Sequence, residues 1–320
     1  MTSTATRPDP TPEAAPDTKT PLALGDRIFR VLAVGSGGLI MVALAGVFIF
    51  LAIEGYPGLS VDEDFYRPAT SFLGYAGPLL FGTVLAAIIA LVIAVPFAIG
   101  IALFISHYAP RRLAVPVAYL IDLLAAVPSV VFGLWGGREL AQHIGGISVW
   151  LEENLGFIPL FAGPAAKSGN TMLTAAVVLA IMILPITTAI CREVFAQTPR
   201  LHEEAALALG ATRWEMIRTS VFPYARSGMV SAVMLGLGRA LGETMAVAMI
   251  LSASPVVTLN IISGSSPATI ASNIASNYKE ASPDGQAVLI ATGLVLFAFT
   301  FGVNFLARYL AGRGERRMAR

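Results

Sequence analysis

The sequence predicts an all-α membrane protein with six transmembrane helices and both termini in the cytoplasm. Hydrophobic residues make up 56% of the chain and charged residues only 13%, with a mean hydropathy of +0.73. Soluble domains carry about 25% charged residues. Six apolar stretches reach the roughly 20 residues that a helix needs to cross a bilayer. Lys and Arg lie almost entirely on one side of these stretches, which predicts the orientation.

The six predicted spans cover residues of about 31–53, 78–106, 113–136, 171–192, 227–252 and 286–309. Residues 1–26 are polar and rich in Pro, Thr and Ala, so we expect a disordered cytoplasmic tail. The transmembrane domain is predicted over 27–320, with a core at 78–312. Pro96, Pro128 and Pro185 fall inside apolar stretches and allow kinks where neighbouring helices satisfy the freed carbonyls.

The distribution of Lys and Arg predicts an N-in, C-in topology. Only Arg67, Lys167 and Lys279 lie clearly outside, in the connections 54–77, 137–170 and 253–285, while Arg138 and Arg239 are left unassigned. The residues placed inside are Arg7, Lys19, Arg27, Arg30, Arg111, Arg112, Arg192, Arg200, Arg213, Arg218, Arg226, Arg308, Arg313, Arg316, Arg317 and Arg320. This asymmetry predicts a multi-pass protein of the plasma (inner) membrane.

Several kinds of chemistry find no support in the sequence. The single Cys191 cannot form an internal disulfide, and the three histidines have no zinc-ligand spacing. Lys19-Thr20 and Lys167-Ser168 lack the preceding Gly of a phosphate-binding loop, so ATP must be bound by another polypeptide. A net charge of +1 gives no indication of nucleic-acid binding. We therefore expect neither a metal nor a cofactor on this chain.

Residues 198–223 form a polar, Arg-rich segment between two apolar spans. Thr198 is predicted to cap a helix whose first residue is Pro199, and Gly210 to end that helix. Thr212 and Glu215 have capping-box spacing and predict a second short helix. The segment is thus predicted to be a helical hairpin, which we call the arm.

The second helix of the arm has one apolar face. Trp214, Ile217 and Val221 recur at helical spacing, and Pro223 is predicted to stop the helix. The topology places the arm in the cytoplasm, where we expect it to dock on a partner protein. An ordinary cytoplasmic helix-turn-helix is the alternative interpretation.

The fifth predicted span carries charges inside the membrane. An ionised side chain at a helix centre costs about 2.5–3.5 kcal/mol on insertion scales, so Arg239 and Glu243 should avoid lipid. Their spacing of four residues allows an ion pair on one helix face. Gly238 and Gly242 have the same spacing and would let another backbone approach closely. These residues predict a helix–helix interface beside a translocation pathway.

Two roles for the charged pair stay open. In one, Arg239 presents positive charge to an oxyanion that crosses the membrane, and Glu243 holds the guanidinium between cycles. In the other, the pair is structural and locks two subunits together. Asp122 in the third span is a second pathway candidate, with interfacial anchoring near the cytoplasmic end as its alternative.

The arm resembles the EAA-x3-G-x12-P signature of type I ABC importer permeases. The matching residues are Glu204, Ala205, Ala206, Gly210 and Pro223, and the candidate coupling set also includes Glu203, Ala211 and Trp214. Ser220 and Phe222 depart from the Ile and Leu that are usual there. The resemblance implies that the arm docks into a groove of a separate ATPase subunit.

Two further segments are similar to permeases of ABC phosphate importers, and more to the C-type than to the A-type subunit. They are VPSVVFGLWG at 127–136 and GRALGETMAVAMI at 238–250. The resemblance implies a heterodimer with an A-type permease, two copies of a P-loop ATPase inside and an external phosphate-binding protein. It also implies that Arg239 and Glu243 are the family's charged pair. Membrane lipid is expected among the partners, and nucleic acid is not.

The predicted function is therefore transport without bond chemistry. The chain is predicted to form half of an ATP-driven phosphate importer pathway and not to be an enzyme. A permease for sulfate, molybdate or another small solute is the alternative within the class. An ion-coupled secondary carrier that uses Arg239, Glu243 and Asp122 is the alternative outside it, although no inverted repeat is evident.

Overall fold

The computed structural model describes residues 24–61, 66, 69–251, 254 and 256–318, with side chains to residue 309. The predicted all-helical membrane fold is confirmed, since the described residues are helical or irregular apart from one isolated bridge between Ser254 and Pro267. The helices are α1 Leu24–Gly55, α2 Phe72–Leu103, α3 Arg111–Ala125, α4 Ser129–Trp135, α5 Ala141–Leu155, α6 Met172–Ala196, α7 Arg200–Ala208, α8 Arg213–Met216, α9 Phe222–Gly242, α10 Met245–Ile250, α11 Ile270–Asn277 and α12 Pro283–Met318.

By its internal contacts the chain divides into residues Met1–Val47 and Phe48–Arg320. In the first unit, the described residues belong to α1 and their side chains are exposed. The predicted tail lies mostly outside the described residues, and Leu24 to Asp26 already belong to α1. The tail therefore stays a prediction for residues 1–23.

In the second unit, α2 packs most extensively against α6, and α6 packs in turn against α9. The cause is a row of alanines at every fourth position of α2, which share one helix face. All of them are almost fully buried: Ala86, Ala90, Ala94, Ala98 and Ala102. Because an alanine face lets a neighbouring helix approach closely, as small residues do between membrane helices, this row forms the centre of the core.

Four helical stretches are long and apolar enough to cross a membrane within the described residues: Gly25–Gly55, Phe72–Tyr108, Met172–Ala196 and Pro283–Tyr309. They correspond to the first, second, fourth and sixth predicted spans. A fifth crossing is present if Arg111–Ala125 and Ser129–Leu155 are counted as one bent span. The sixth crossing, which would include α9, stays a prediction.

The third predicted span is broken. The chain bends by 91° between α3 and α4, and Pro128 stands immediately before α4. Proline cannot donate a backbone hydrogen bond and disfavours helix in the residue before it, which explains a break at this place. The segment 137–170, which the sequence analysis treats as a connection between spans, contains α5. Pro96 and Pro185, by contrast, lie inside α2 and α6 without ending them.

Candidate functional site

The first helix of the arm ends as predicted at Gly210. This residue has φ +86°, a conformation that costs glycine little because it has no Cβ. Its N–H donates to the carbonyl oxygen of Leu207 at 3.0 Å, and the N–H of Ala211 donates to that of Ala206 at 3.2 Å. These two bonds form a Schellman motif, which satisfies carbonyls that the helix end leaves free. The turn between α7 and α8 is thus determined locally.

Two other predictions about the arm are wrong. The Thr198 hydroxyl is buried without a hydrogen-bond partner within the described residues, and α7 begins after Pro199, which has extended backbone angles. Thr198 therefore does not cap the helix. Pro223 does not stop the second helix either, since it lies in the first turn of α9, and α8 continues into α9 through a π-helical turn at Ile217–Val221. In a first turn, the missing N–H of proline costs little.

The capping box at Thr212 and Glu215 is confirmed. The Glu215 N–H donates to the Thr212 hydroxyl at 3.3 Å, and the Thr212 N–H donates to the Glu215 carboxylate at 2.8 Å. The Thr212 hydroxyl also donates to the same carboxylate oxygen at 2.8 Å. These bonds, the backbone one first, lower the pKa of Glu215 below its ordinary value of 4.5. The charged carboxylate therefore stabilises the start of α8.

The capping box predicts a pH-dependent arm. A carboxyl whose pKa is lower in the folded state stabilises above its unfolded pKa of 4.5 and loses this contribution as the pH falls through the lower, folded value. We expect amide protection at residues 212–216 to fall between about pH 6 and about pH 3. In Glu215→Gln, protection should be lower at the higher pH and nearly independent of pH. Hydrogen exchange, corrected for intrinsic rates, measures both, and an unchanged pH profile in the variant would contradict the assignment.

The arm packs against the membrane body and is held by two polar contacts, one within the arm and one to the end of α2. Ile217 and Val221 are fully buried, whereas Trp214 stays half-exposed and meets the ring of Phe222 edge-on. The predicted apolar face is therefore only partly buried. Ser220, one of the departures from the signature, donates to the carbonyl oxygen of His202 at 3.2 Å and so joins α7 to the turn before α9.

The second polar contact joins the arm to the end of α2. His107 Nε2 lies 3.5 Å from Glu203 Oε1, and the two side chains are only 10% and 22% exposed. On its other side, His107 Nδ1 lies 2.6 Å from the hydroxyl of Ser106. Sequence reasoning missed His107 because it has no histidine neighbour along the chain. Only the fold brings it to Glu203.

The outer surface of the arm is apolar at its tip. Leu209 in the turn is 90% exposed, and Leu207 and Trp214 beside it are 44% and 54% exposed. Glu204 and Ala205 of the predicted coupling set are also exposed, whereas Ala206 is turned inward and packs against the buried cluster around Ile217. Exposed leucines beside a rigid turn form a surface suited to a protein partner.

The predicted fifth span is interrupted at its charged residues. α9 ends at Gly242, and Glu243 has extended backbone angles of φ −68° and ψ 127°. Its carboxylate is buried and accepts a hydrogen bond from the Ala246 N–H at 3.2 Å, at the start of α10. Within the described residues no ion pair links Glu243 to Arg239, so the expected pair is wrong. The physical reason is that the helix ends before the two residues can share a face.

Arg239 is therefore left without the partner that its sequence suggested. Its Nε atom is buried and has no hydrogen-bond partner within the described residues. Gly238 and Gly242 are exposed, and a Cβ at either position would meet no atom within 4 Å. Gly238 lines a cavity between α9 and α12, and within the described residues of this unit the face of α9 that carries these glycines has no helix packed closely on it. It remains available to a second subunit, as the packing prediction requires.

Asp122 is exposed on α3 and lies 3.7 Å from the guanidinium of Arg192, near the end of α6. This contact favours the anchoring interpretation, because it ties α3 to the helix that leads into the arm. The residue does not line the cavity beside Arg239. Its place in a pathway stays a prediction.

A cavity of about 710 Å³ lies beside Arg239, between α6, α9 and α12. Arg308 and Asn304 of α12 also line it. Sequence reasoning assigned Arg308 only a role in topology, because nothing in its local pattern distinguishes it from other arginines near the chain end. The packing of α12 against α9 brings the two arginines to one cavity.

The body contains several helices that could span a membrane and one helix that is interrupted at its charged residues. Together with the capped arm and its apolar tip, these features define a transport permease component. The chain belongs to the family of binding-protein-dependent transport system inner membrane components, whose model matches residues 94–316. It is 47% identical over 304 residues to the phosphate transport system permease protein PstC 2 of Mycobacterium tuberculosis, which covers 91% of this chain and 93% of that protein. The corresponding PstC of Mycobacterium leprae is 44% identical, covering 92% and 97%.

Solved structures with low identity support the fold. The MetNI methionine ABC transporter in an inward-facing conformation matches with a TM-score of 0.50 and 14% identity, covering 75% of this chain and 94% of that chain. A bacterial ABC transporter involved in the import of the polysaccharide alginate matches with a TM-score of 0.50 and 16% identity, covering 90% and 99%. The helical arrangement is therefore that of ABC importer permeases.

Proposed function

We propose that the chain is the transmembrane permease subunit of an ATP-driven importer of inorganic phosphate. It forms half of the translocation pathway and couples to a separate ATPase through the arm. The chain contributes no ATPase site and no cofactor of its own. Phosphate as substrate is supported by the names of the mycobacterial relatives and by the cationic cavity at Arg239.

The observation that carries the coupling role is the construction of the arm. Both of its helices are capped through local bonds, at Gly210 and at Thr212, so the tip keeps its shape when exposed. The body holds the arm through buried Ile217 and the contact between His107 and Glu203. A rigid arm with apolar side chains at its tip can transmit a displacement of a docked ATPase to α9. A merely solvent-exposed hairpin would need neither the contacts to α2 nor leucines at its tip.

The orientation and the partners follow from this role. Because ATP is cytoplasmic, docking of an ATPase places the arm and both termini inside, with six crossings between them. The exposed glycines of α9 fit a second permease, which we propose is the A-type subunit, and each permease receives one ATPase copy. An external phosphate-binding protein delivers the substrate. In this cycle ATP binding closes the ATPases and moves the arms, and hydrolysis returns the pathway to the inward-open state.

The test is uptake by the reconstituted importer in proteoliposomes that enclose ATP. We expect uptake of labelled phosphate that requires both ATP and the binding protein, with sulfate and molybdate transported much more slowly. Uptake that follows an ion gradient without ATP would contradict the proposal in favour of a secondary carrier. Preferential uptake of sulfate or molybdate would contradict the substrate. An importer that carries Arg226→Gln, outside the cavity, is the control for loss of a positive charge.

A further inference from the structure

The cavity beside Arg239 is also lined by polar groups other than the predicted pathway residues Arg239, Glu243 and Asp122. Its polar lining consists of Ser231 and Arg239 from α9 and of Asn304 and Arg308 from α12. The remaining lining side chains, from α6, α9 and α12, are apolar. Among the described residues, the cavity is therefore lined by two guanidinium groups and no carboxylate.

Arg239 is partly buried whereas Arg308 is exposed, so an unneutralised charge is costly mainly at Arg239. Neither Arg239 nor Arg308 has an ion-pair partner in the part of the chain that the structure describes. The Nε atom of Arg239 is also buried without an acceptor. A bound anion would neutralise this charge through the guanidinium groups that line the cavity.

The donors in the cavity identify the chemical class of that anion. Guanidinium groups bind tetrahedral oxyanions through paired N–H···O bonds. The hydroxyl of Ser231 and the amide of Asn304 can extend the same set of contacts. A volume of about 710 Å³ exceeds that of one small oxyanion, since a water molecule occupies about 30 Å³ of liquid. The anion would therefore be partly hydrated, and a hydrated ion is held weakly enough to leave.

The position of the cavity relates it to transport. Ser231 precedes Arg239 by two helical turns, which at about 1.5 Å per residue is about 12 Å along α9. The cavity thus extends from Arg239 towards the end of α9 that continues into the arm. Under the proposed orientation this is the cytoplasmic direction.

We propose that this cavity is an exit site for the transported oxyanion, in which Arg308 supplies a second cation on the cytoplasmic side of the pathway. The inference rests on the proposed function for its direction of transport. Arg308 keeps the anion paired as it leaves Arg239, so the anion never faces an apolar wall alone. The shared chemistry is a phosphate group, which a free phosphate or the headgroup of an anionic lipid can provide. Transport requires the free ion.

Protection of an introduced cysteine tests occupancy without relying on transport. Ala307 lines the cavity, so Ala307→Cys in the assembled importer reports access, while the native Cys191 is buried. In phosphatidylcholine nanodiscs, we expect inorganic phosphate to slow modification by an anionic thiol reagent, read by mass spectrometry of the peptide. Adding Arg308→Gln should raise the phosphate concentration needed for protection about ten-fold. Arg308→Lys should restore part of it, and Arg226→Gln should leave protection unchanged.

The outcomes separate the two sources of phosphate and the two proposals. Protection by inorganic phosphate in neutral lipid supports the exit site. Absence of protection overturns it. Protection that appears only after phosphatidylglycerol is added also overturns it and assigns the cavity to lipid headgroups. Uptake is measured on the same variants reconstituted in proteoliposomes that enclose ATP. Normal ATP-driven phosphate uptake by Arg308→Gln overturns the exit site alone, whereas absence of uptake by the unaltered importer overturns the proposed function.

Discussion

Replacing Arg239 by glutamine is expected to reduce phosphate uptake by the assembled importer about ten- to hundred-fold. A hydrogen bond to a charged group contributes about 1.5–3 kcal/mol, and each 1.4 kcal/mol is a factor of ten. The structure makes Arg239 the strongest candidate for such a bond, because its Nε is buried, unpaired and beside a cavity. ATP-driven uptake of labelled phosphate in proteoliposomes measures the effect. Copurification of the partner permease and the ATPase establishes that the variant assembles.

A set of matched variants separates charge from packing at this position. Arg239→Lys keeps the charge but loses the paired donors, so we expect uptake between that of the unaltered importer and Arg239→Gln. Arg226→Gln removes a charge from the same helix outside the cavity and should transport normally. Normal uptake by an assembled Arg239→Gln importer would reduce Arg239 to a packing residue. Failure to assemble would favour the alternative in which Arg239 locks two subunits together.

Local signals in the sequence predicted those parts of the protein that depend on nearby residues. Gly210 ends α7 and Thr212 begins α8 because each forms its bonds within a few residues. The long apolar stretches likewise became α1, α2, α6 and α12, since a membrane helix satisfies its own backbone. In these cases the physical cause is contained in a short window of sequence.

The errors occur where tertiary contacts or backbone breaks decide the structure. The expected ion pair assumed an unbroken helix through Glu243, but the carboxylate caps α10 and the helix ends first. Thr198 has the right residue type for a cap, yet it is buried at the end of α6 and α7 begins after Pro199. The contact between His107 and Glu203 joins residues 96 positions apart. No local pattern contains that information.

The interruption after Gly242 changes how the charged residues act. In a continuous helix, Glu243 would neutralise Arg239 and compete with any anion. In the observed structure the carboxylate is occupied by a backbone N–H of α10, and the guanidinium is left to the cavity. The broken helix thus separates an acid and a base that the sequence places one turn apart. An anion-binding cavity beside Arg239 depends on this separation.

Replacing Gly210 by valine is expected to abolish most ATP-driven uptake while leaving the membrane body folded. At φ +86° a β-branched residue is strongly disfavoured, and a left-handed conformation costs an L-residue about 1–2 kcal/mol. No atom lies within 4 Å of a Cβ at this position, so the cost arises from the backbone and not from a clash. A change of this size lowers the population of the correct turn about 5- to 30-fold. The arm would then present its tip in the wrong orientation to the ATPase.

Gly210→Asn is the matched control, because asparagine adopts the left-handed region several-fold more readily than other residues. Since space for a side chain exists, we expect it to keep most of the uptake and of the ATPase activity that the binding protein stimulates. Gly210→Ala completes the series. Uptake that falls in the order glycine, asparagine, alanine, valine would show that the backbone conformation of the turn, and not the side chain, positions the arm. Equal loss in all three variants would indicate that the ATPase requires glycine itself at its surface. Full activity of the valine variant would show that coupling does not depend on the Schellman turn, and the rigid-arm explanation would fail.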